Sequence, residues 1–223
     1  MLKYALFDLD GTLTDPGVGI TNCVRYALER FSIYPKSREE LYPYIGPPLI
    51  DSFQEYHGLS KKDALKAVSY YRERFSGIGL LENEVYSGIE DLLSELKDRG
   101  VTLIVATSKP EEFAVKILEH FDLLKYFDFI GGNNLNEERP TKSVVIAYVR
   151  ERYSDISGDN TVMIGDRKYD VEGAHNHGLP AIGVLYGYGD LSELTEAGAD
   201  CLAESVEELL VILKKHATLS KIS

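Results

Sequence analysis

Asp8-Leu9-Asp10-Gly11-Thr12 sets two carboxylates two residues apart, directly after the short apolar run Tyr4 to Phe7. Such a pair repels itself unless a cation or a shared proton stabilises it. The glycine that follows lets the backbone turn sharply and come close to a ligand. Taken alone, the segment also reads as a strand ending in a solvated acidic turn.

Three further groups narrow the chemistry. Thr107-Ser108-Lys109-Pro110 follows the apolar run Val101 to Ala106 and offers hydroxyls and amides at an expected helix start, where an anion is favoured. Ser108 is the expected helix cap, which leaves Thr107 for a phosphate. Gly165-Asp166-Arg167-Lys168-Tyr169-Asp170 follows Val162 to Ile164 and brings a second acidic pair, four residues apart, onto one face of an expected first helical turn. Carboxylates arriving from two strand ends form the hard-oxygen site that Mg²⁺ prefers. Between these groups, Arg139-Pro140-Thr141-Lys142 supplies a cation; spacing leaves Lys142 and Arg139 as alternatives.

The elements that must carry these groups are legible from periodicity. Tyr4 to Phe7, Val101 to Ala106, Phe127 to Ile130, Val162 to Ile164 and Ala181 to Val184 are runs of buried-strand length. Ile89, Leu92, Leu93 and Leu96 recur at helical spacing, as do Ala114, Ile117, Leu118 and Phe121, and Lys142 opens a helix containing Val145, Ile146 and Val149. Ser87 with Glu90, Ser108 with Glu111 and Ser205 with Glu208 have capping-box spacing. Strands alternating with helices imply an α/β fold, a doubly wound parallel sheet with a Rossmann-like core. In such sheets ligands bind beyond the carboxyl ends of the strands, where all the acidic groups fall.

The alternation breaks between about Pro16 and Glu82. There Ile20, Val24, Ala27, Leu28 and Phe31 share one helix face, and Ala64, Ala67, Val68, Tyr71 and Phe75 another. The expected organisation is a catalytic core over residues 1–15 and 83–223 with an all-helical cap over 16–82. Its junctions are hinges near Asp15 to Gly19 and Gly77 to Val85, with freedom from Gly17, Gly19, Gly77 and Gly79. Within the cap, Ile45-Gly46-Pro47-Pro48-Leu49 reads as a rigid turn entering a helix, and Asn22 and Arg25 as polar contacts. Leu219 to Ser223 is expected to fray.

Composition is that of an ordinary globular protein rather than a disordered or fibrous one: 223 residues, 44% hydrophobic and 27% charged. A formal net charge of −12 excludes a basic stripe for nucleic acid, so a phosphate must be met by a metal ion or a few focused donors. Cys23 and Cys201 read as small buried residues, neither disulfide-bonded nor zinc-binding. No leader and no membrane span is evident, so a cytoplasmic location is expected.

The four motifs, in this order and across nearly the whole chain, closely resemble the haloacid dehalogenase superfamily, in its phosphoglycolate phosphatase-like branch. The resemblance implies Asp8 as nucleophile, Asp10 as general acid/base, Thr107 as the phosphate-binding hydroxyl and Lys142 as the motif lysine. It implies a Mg²⁺ site in which Asp8, the backbone carbonyl of Asp10 and Asp166 bind directly, with Asp170 acting through a water or from behind the direct ligands. Gly11, Thr12, Thr107, Ser108 and Lys142 would hold the phosphate. The sequence departs from many relatives in having Ser143, not proline, after Lys142, and Ser108, not asparagine, after Thr107.

The implied activity is Mg²⁺-dependent hydrolysis of a small phosphate monoester, such as phosphoglycolate or a nucleoside 5′-monophosphate, through an aspartyl phosphate. A phosphomutase shares every motif up to the fate of that intermediate. A phosphoacceptor signalling domain would place an acidic pair before the phosphorylated aspartate and leave the helical insertion unexplained. A binding domain that has lost catalysis is unsupported, since every chemical position is filled. The loop from Tyr186 to Gly189 either lines the site or is a plain connection.

Overall fold

A computed structural model of the chain describes residues 2–136 and 138–218, with the side chains of residues 216–218 excepted. The residues 219–223 expected to fray lie outside this range. The chain divides into two compact units, one of residues 1–14 and 85–223 and one of residues 15–84.

The larger unit holds a six-stranded parallel sheet in the order β5-β4-β1-β6-β7-β8. Its strands are β1 (Tyr4–Phe7), β4 (Thr102–Pro110), β5 (Phe129–Asn133), β6 (Thr161–Gly165), β7 (Ala181–Val184) and β8 (Cys201–Ala203). The helices between them are α4 (Ile89–Asp98), α5 (Glu111–His120), α6 (Lys142–Arg152), α7 (Lys168–His175), α8 (Leu191–Glu196) and α9 (Val206–Thr218). β1 is buried throughout, which is why it reads as an unbroken apolar run rather than an alternation. One core cluster packs Leu6, Ile104 and Met163 of the sheet against Val145, Ile146 and Val149 of α6 and Val171 and Ala174 of α7.

Chain order runs from β1 out to β5 on one side, then returns to β6 on the other, so the sheet reverses between β1 and β6. Phe7 is in register with Ile164 and with Val105, and the Asp8 amide donates to Ile164 O at 2.9 Å. Asp8 and Asp166 therefore leave adjacent strands at nearly the same level, and Thr107 stands at that level within β4, beside the reversal, where open α/β sheets bind ligands.

The smaller unit contains α1 (Gly17–Glu29), α2 (Leu49–His57) and α3 (Lys61–Arg74), and a single π-helical turn over Phe75–Gly79. Ile20, Val24, Ala27 and Leu28 of α1 and Ala64, Ala67, Val68 and Tyr71 of α3 are its buried faces. α1 stops at Glu29, so Phe31 lies beyond it and is only partly buried. The short strands β2 (Thr14–Asp15) and β3 (Glu84–Val85) are where the chain leaves and re-enters the larger unit.

Several local expectations are corrected. Gly19 and Gly79 are packing positions: a Cβ on Gly19 would fall 2.2 Å from Gly79 O, and one on Gly79 would fall 2.3 Å from Cys23 Sγ. Their role is close approach of α1 to the π-helical turn rather than hinge freedom. Ser87 does not cap α4, because Gly88 at φ +86° intervenes and Glu90 instead accepts from Tyr126 Oη at 2.9 Å. Ser205 does accept from the Glu208 amide at 3.2 Å, but Glu208 reaches back to the Glu204 amide. Cys201 is partly exposed in β8, a strand too short at three residues to stand out as a run. No helix among the described residues is long and apolar enough to cross a membrane.

Candidate functional site

β4 runs further than its apolar residues suggest. It continues to Pro110, and α5 starts only at Glu111. Proline disfavours helical geometry in the residue before it and is itself tolerated at a helix entrance. Ser108 is therefore extended strand and caps nothing, contrary to expectation. Thr107 is buried, and its Oγ accepts from the Lys109 amide at 3.3 Å, which leaves its hydroxyl hydrogen to donate elsewhere.

α6 begins at Lys142, capped by Thr141, whose side chain accepts from the Val144 amide. Its first turn points Lys142 inward, 3% exposed. The ammonium lies 2.9 Å from Asp8 Oδ1 and 2.8 Å from Asp170 Oδ1, and donates to Ala106 O at 2.7 Å. Arg139 is held elsewhere: it donates to Gly132 O at 2.6 Å, pairs with Glu111 at 3.0 Å and lies over the Tyr148 ring. Of the two candidate cations, Lys142 is the one beside Asp8.

α7 starts at Lys168, two residues after Asp166, so the acidic pair does not share a helix face as expected. Asp166 closes the end of β6, while Asp170 lies in the first turn of α7 and accepts from the Arg167 amide at 3.1 Å. One carboxylate oxygen from each of Asp8, Asp166 and Asp170 lies within 4.8 Å of the others. Asp166 Oδ1 is buried without a hydrogen-bond partner, and Asp170 Oδ1 has the Lys142 ammonium as its partner. Burial pushes the Asp166 carboxyl well above its usual range, aided by the charges of Asp170 and Asp8. Burial raises Asp170 to about 6, against the pull of Lys142. Burial works against the Lys142 charge, yet Asp170 and Asp8 outweigh it and hold its pKa up.

The Asp10 side chain stands apart from this trio. Its Oδ2 pairs with Lys109 Nζ at 2.7 Å, and its Oδ1 is buried without a partner. Burial raises its pKa, with Lys109 opposing. The trio faces one ammonium, that of Lys142, so its three carboxylates, when ionised, carry a surplus of two negative charges that one divalent cation would balance. The orphaned Asp166 oxygen, the hard donors and the charge surplus all fit such an ion at Asp8, Asp166 and Asp170.

Gly11 has φ +78°, and a Cβ there would fall 2.0 Å from Asp166 Oδ2. Thr12 is fully buried, with its Oγ unpartnered and its carbonyl accepting from Tyr186 Oη at 3.1 Å. The loop from Tyr186 to Gly189, left open by the sequence, is a wall of the acidic site. The Tyr188 amide donates to Asp166 Oδ2 at 2.9 Å, and Cβ atoms on Gly187 and Gly189 would each fall within 2.4 Å of Asp166.

A family model described as haloacid dehalogenase-like hydrolase matches residues 5–184. The chain belongs to that family. Among haloacid dehalogenase-like relatives, a 5′-nucleotidase of Pseudomonas aeruginosa is 41% identical over 217 residues, 96% of this chain and 98% of that protein. A Mycobacterium tuberculosis protein named tyrosine-protein kinase PtkA is 35% identical over 209 residues, 93% of this chain and 71% of the relative. The crystal structure of a predicted phosphatase from Clostridium acetobutylicum is 48% identical with a TM-score of 0.93, covering 96% of this chain and 99% of that one.

Within this haloacid dehalogenase-like site, sequence reasoning passed over two features. Lys109 lay inside a quoted motif without a role, because an exposed surface position is the commoner fate of lysine. Gly165, at the end of β6, stands in its motif without a role, and Gly173, within α7, stands outside every motif. A Cβ on Gly165 would fall 2.1 Å from Asp170 Cγ, and one on Gly173 would fall 2.8 Å from Lys142 Cβ. Neither closeness is written in the local sequence, since Gly165 stands five residues before Asp170 and Gly173 stands 31 residues after Lys142.

Proposed function

We propose that this phosphatase hydrolyses small soluble phosphate monoesters through a phosphorylated Asp8, with Mg²⁺ as cofactor, and that nucleoside 5′-monophosphates are its first substrate class. The observation that carries the reading is the Asp8 carboxylate, buried at a strand end and paired with Lys142 at 2.9 Å, within one cluster with Asp166 and Asp170. A nucleophile needs a fixed oxygen, and the ammonium holds Asp8 Oδ1 in place. The substrate class rests on the likeness to the 5′-nucleotidase, which spans both chains almost entirely. Phosphoglycolate is the second candidate, from the branch that the motifs resemble.

Asp8 attacks phosphorus from one side while the ester oxygen leaves on the other. Asp10, whose carboxyl burial keeps protonated above the usual range, gives the leaving alkoxide its proton. As carboxylate it then takes a proton from the water that cleaves the aspartyl phosphate. Lys142 and the Thr107 hydroxyl hold charge on the transferring phosphoryl oxygens. Asp8, Asp166 and Asp170 would hold Mg²⁺, which when bound offsets the repulsion between the nucleophile and the phosphate.

The test is rapid quench with a ³²P-labelled monoester. Wild type accumulates an acid-stable protein phosphate that maps to Asp8. Asp8→Asn forms none and loses turnover while keeping its fold, and Asp10→Asn accumulates it with a good leaving group because the second step lacks its base. Label on another residue, or turnover by Asp8→Asn free of deamidation, refutes the mechanism.

A further inference from the structure

The two ammonium groups of the site are not duplicates. Lys142 is shared between Asp8, Asp170 and Ala106 O, whereas Lys109 Nζ sits 2.7 Å from Asp10 Oδ2. The Lys109 side chain is 7% exposed and that of Asp10 15%, so the pair is largely withdrawn from water. Its backbone is fixed as well: Pro110 keeps Lys109 extended, and the Lys109 amide is held by Thr107 Oγ at 3.3 Å.

The two oxygens of Asp10 are therefore unequal. Oδ2 accepts from an ammonium, while Oδ1 is buried with no hydrogen-bond partner. A carboxylic acid whose one oxygen accepts a charged hydrogen bond carries its own proton on the other oxygen.

We propose that Lys109 is a positioning residue for Asp10: by anchoring Oδ2 it fixes the side chain so that Oδ1 is the oxygen that gives and takes the proton. This rests on the acid–base role assigned to Asp10 above. In the first half-reaction the proton passes from Oδ1 to the leaving alkoxide oxygen as its bond to phosphorus breaks and the bond from Asp8 forms. In the second, Oδ1 takes a proton from water as the water oxygen bonds phosphorus and the Asp8–phosphorus bond breaks. Without the anchor, Asp10 keeps its chemistry and loses its aim, which costs rate even for small displacements.

The experiment compares Lys109→Met and Lys109→Arg with wild type, using single-turnover phosphorylation of the enzyme by two esters. One is the alkyl monoester that wild type turns over fastest, whose alkoxide must be protonated to leave. The other is 2,4-dinitrophenyl phosphate, whose leaving group departs unprotonated. Lys109→Met is expected to slow phosphorylation by the alkyl ester about 100-fold or more and by the dinitrophenyl ester less than about five-fold. Lys109→Arg recovers most of the loss. Near-normal reaction with the dinitrophenyl ester also shows that the variant is folded. Equal losses on both esters, or a change confined to KM, would assign Lys109 to phosphate binding and overturn the proposal, as would wild-type rates with both. A wild type that forms no phosphoenzyme from either ester sinks the aspartyl-phosphate reading itself, a result distinct from any behaviour of the variants.

Discussion

The ammonium of Lys142 bridges Asp8 and Asp170, 2.9 Å from one carboxylate and 2.8 Å from the other, and Gly173 on α7 leaves the space through which its side chain passes. A methyl group at position 173 would fall 2.8 Å from both Cβ and Cγ of Lys142 and 3.1 Å from the Ser143 amide. Gly173→Ala should therefore displace the lysine, costing about 1–3 kcal/mol of stability and at least about ten-fold in kcat. Chemical denaturation and steady-state kinetics with one monoester check both numbers. Wild-type kinetics at reduced stability would show that Lys142 tolerates the displacement.

Removing the ammonium itself is more severe. Lys142→Met leaves buried carboxylates without their cation and should destabilise the metal-free protein by about 3–5 kcal/mol. Urea denaturation in chelator measures this. A loss under about 1 kcal/mol would mean that the pair carries no net stabilisation.

A divalent ion should bind the folded chain and raise its melting temperature. Asp166→Asn should abolish the rise, and by removing one of three crowded carboxylates it should melt higher than wild type when both are metal-free. Mg²⁺ should restore activity after chelation better than Ca²⁺, which favours more ligands at longer distance. Equal thermal shifts in wild type and variant would exclude Asp166 as a ligand.

Stability of the metal-free protein should carry the signature of Asp170. Its folded pKa, about 6, lies above its unfolded value, so the native state prefers the protonated group. Stability is thus present below the unfolded pKa, near 4, and is lost as pH rises towards 6. Asp170→Asn removes the titration, so the variant's stability relative to wild type should rise over that window, by an amount on the order of 2 kcal/mol. Paired denaturation curves at pH 4 and 6.5 in chelator test this. A difference independent of pH refutes it.

Substrate choice is expected to depend on the helical unit. Arg25 of α1 has a buried Nε without a hydrogen-bond partner, and Gly46, at φ +106°, shapes the turn that Pro48 leads into α2. Asn22, by contrast, is engaged by Glu82 at 3.1 Å. Arg25→Ala and a replaced Gly46 to Leu49 turn should change the ranking of kcat/KM across nucleoside monophosphates, phosphoglycolate and sugar phosphates by about ten-fold or more. An equal factor for every substrate, or efficient action on a folded phosphoprotein, would remove specificity from these positions.

The sequence by itself determined the strand ends and the acidic groups they carry. Asp8 after Tyr4–Phe7 and Asp166 after the run at 162–164 are legible because a buried parallel strand is continuously apolar, so a charge marks its end. The helices of the smaller unit are legible for the same reason, through the 3.6-residue period of their buried faces. Tertiary structure alone decided which groups meet. Lys142 and Arg139 are three residues apart and equally basic, and only the packing of α6 against the sheet turns one towards Asp8 while Glu111 and Gly132 hold the other. Lys109, Tyr188 and Gly187 join the site through contacts across 21 to 99 residues of sequence or through a strand that outlasts its apolar run, and no local pattern encodes such distances. A periodicity reports which face of an element is buried; what lies opposite that face depends on the whole chain.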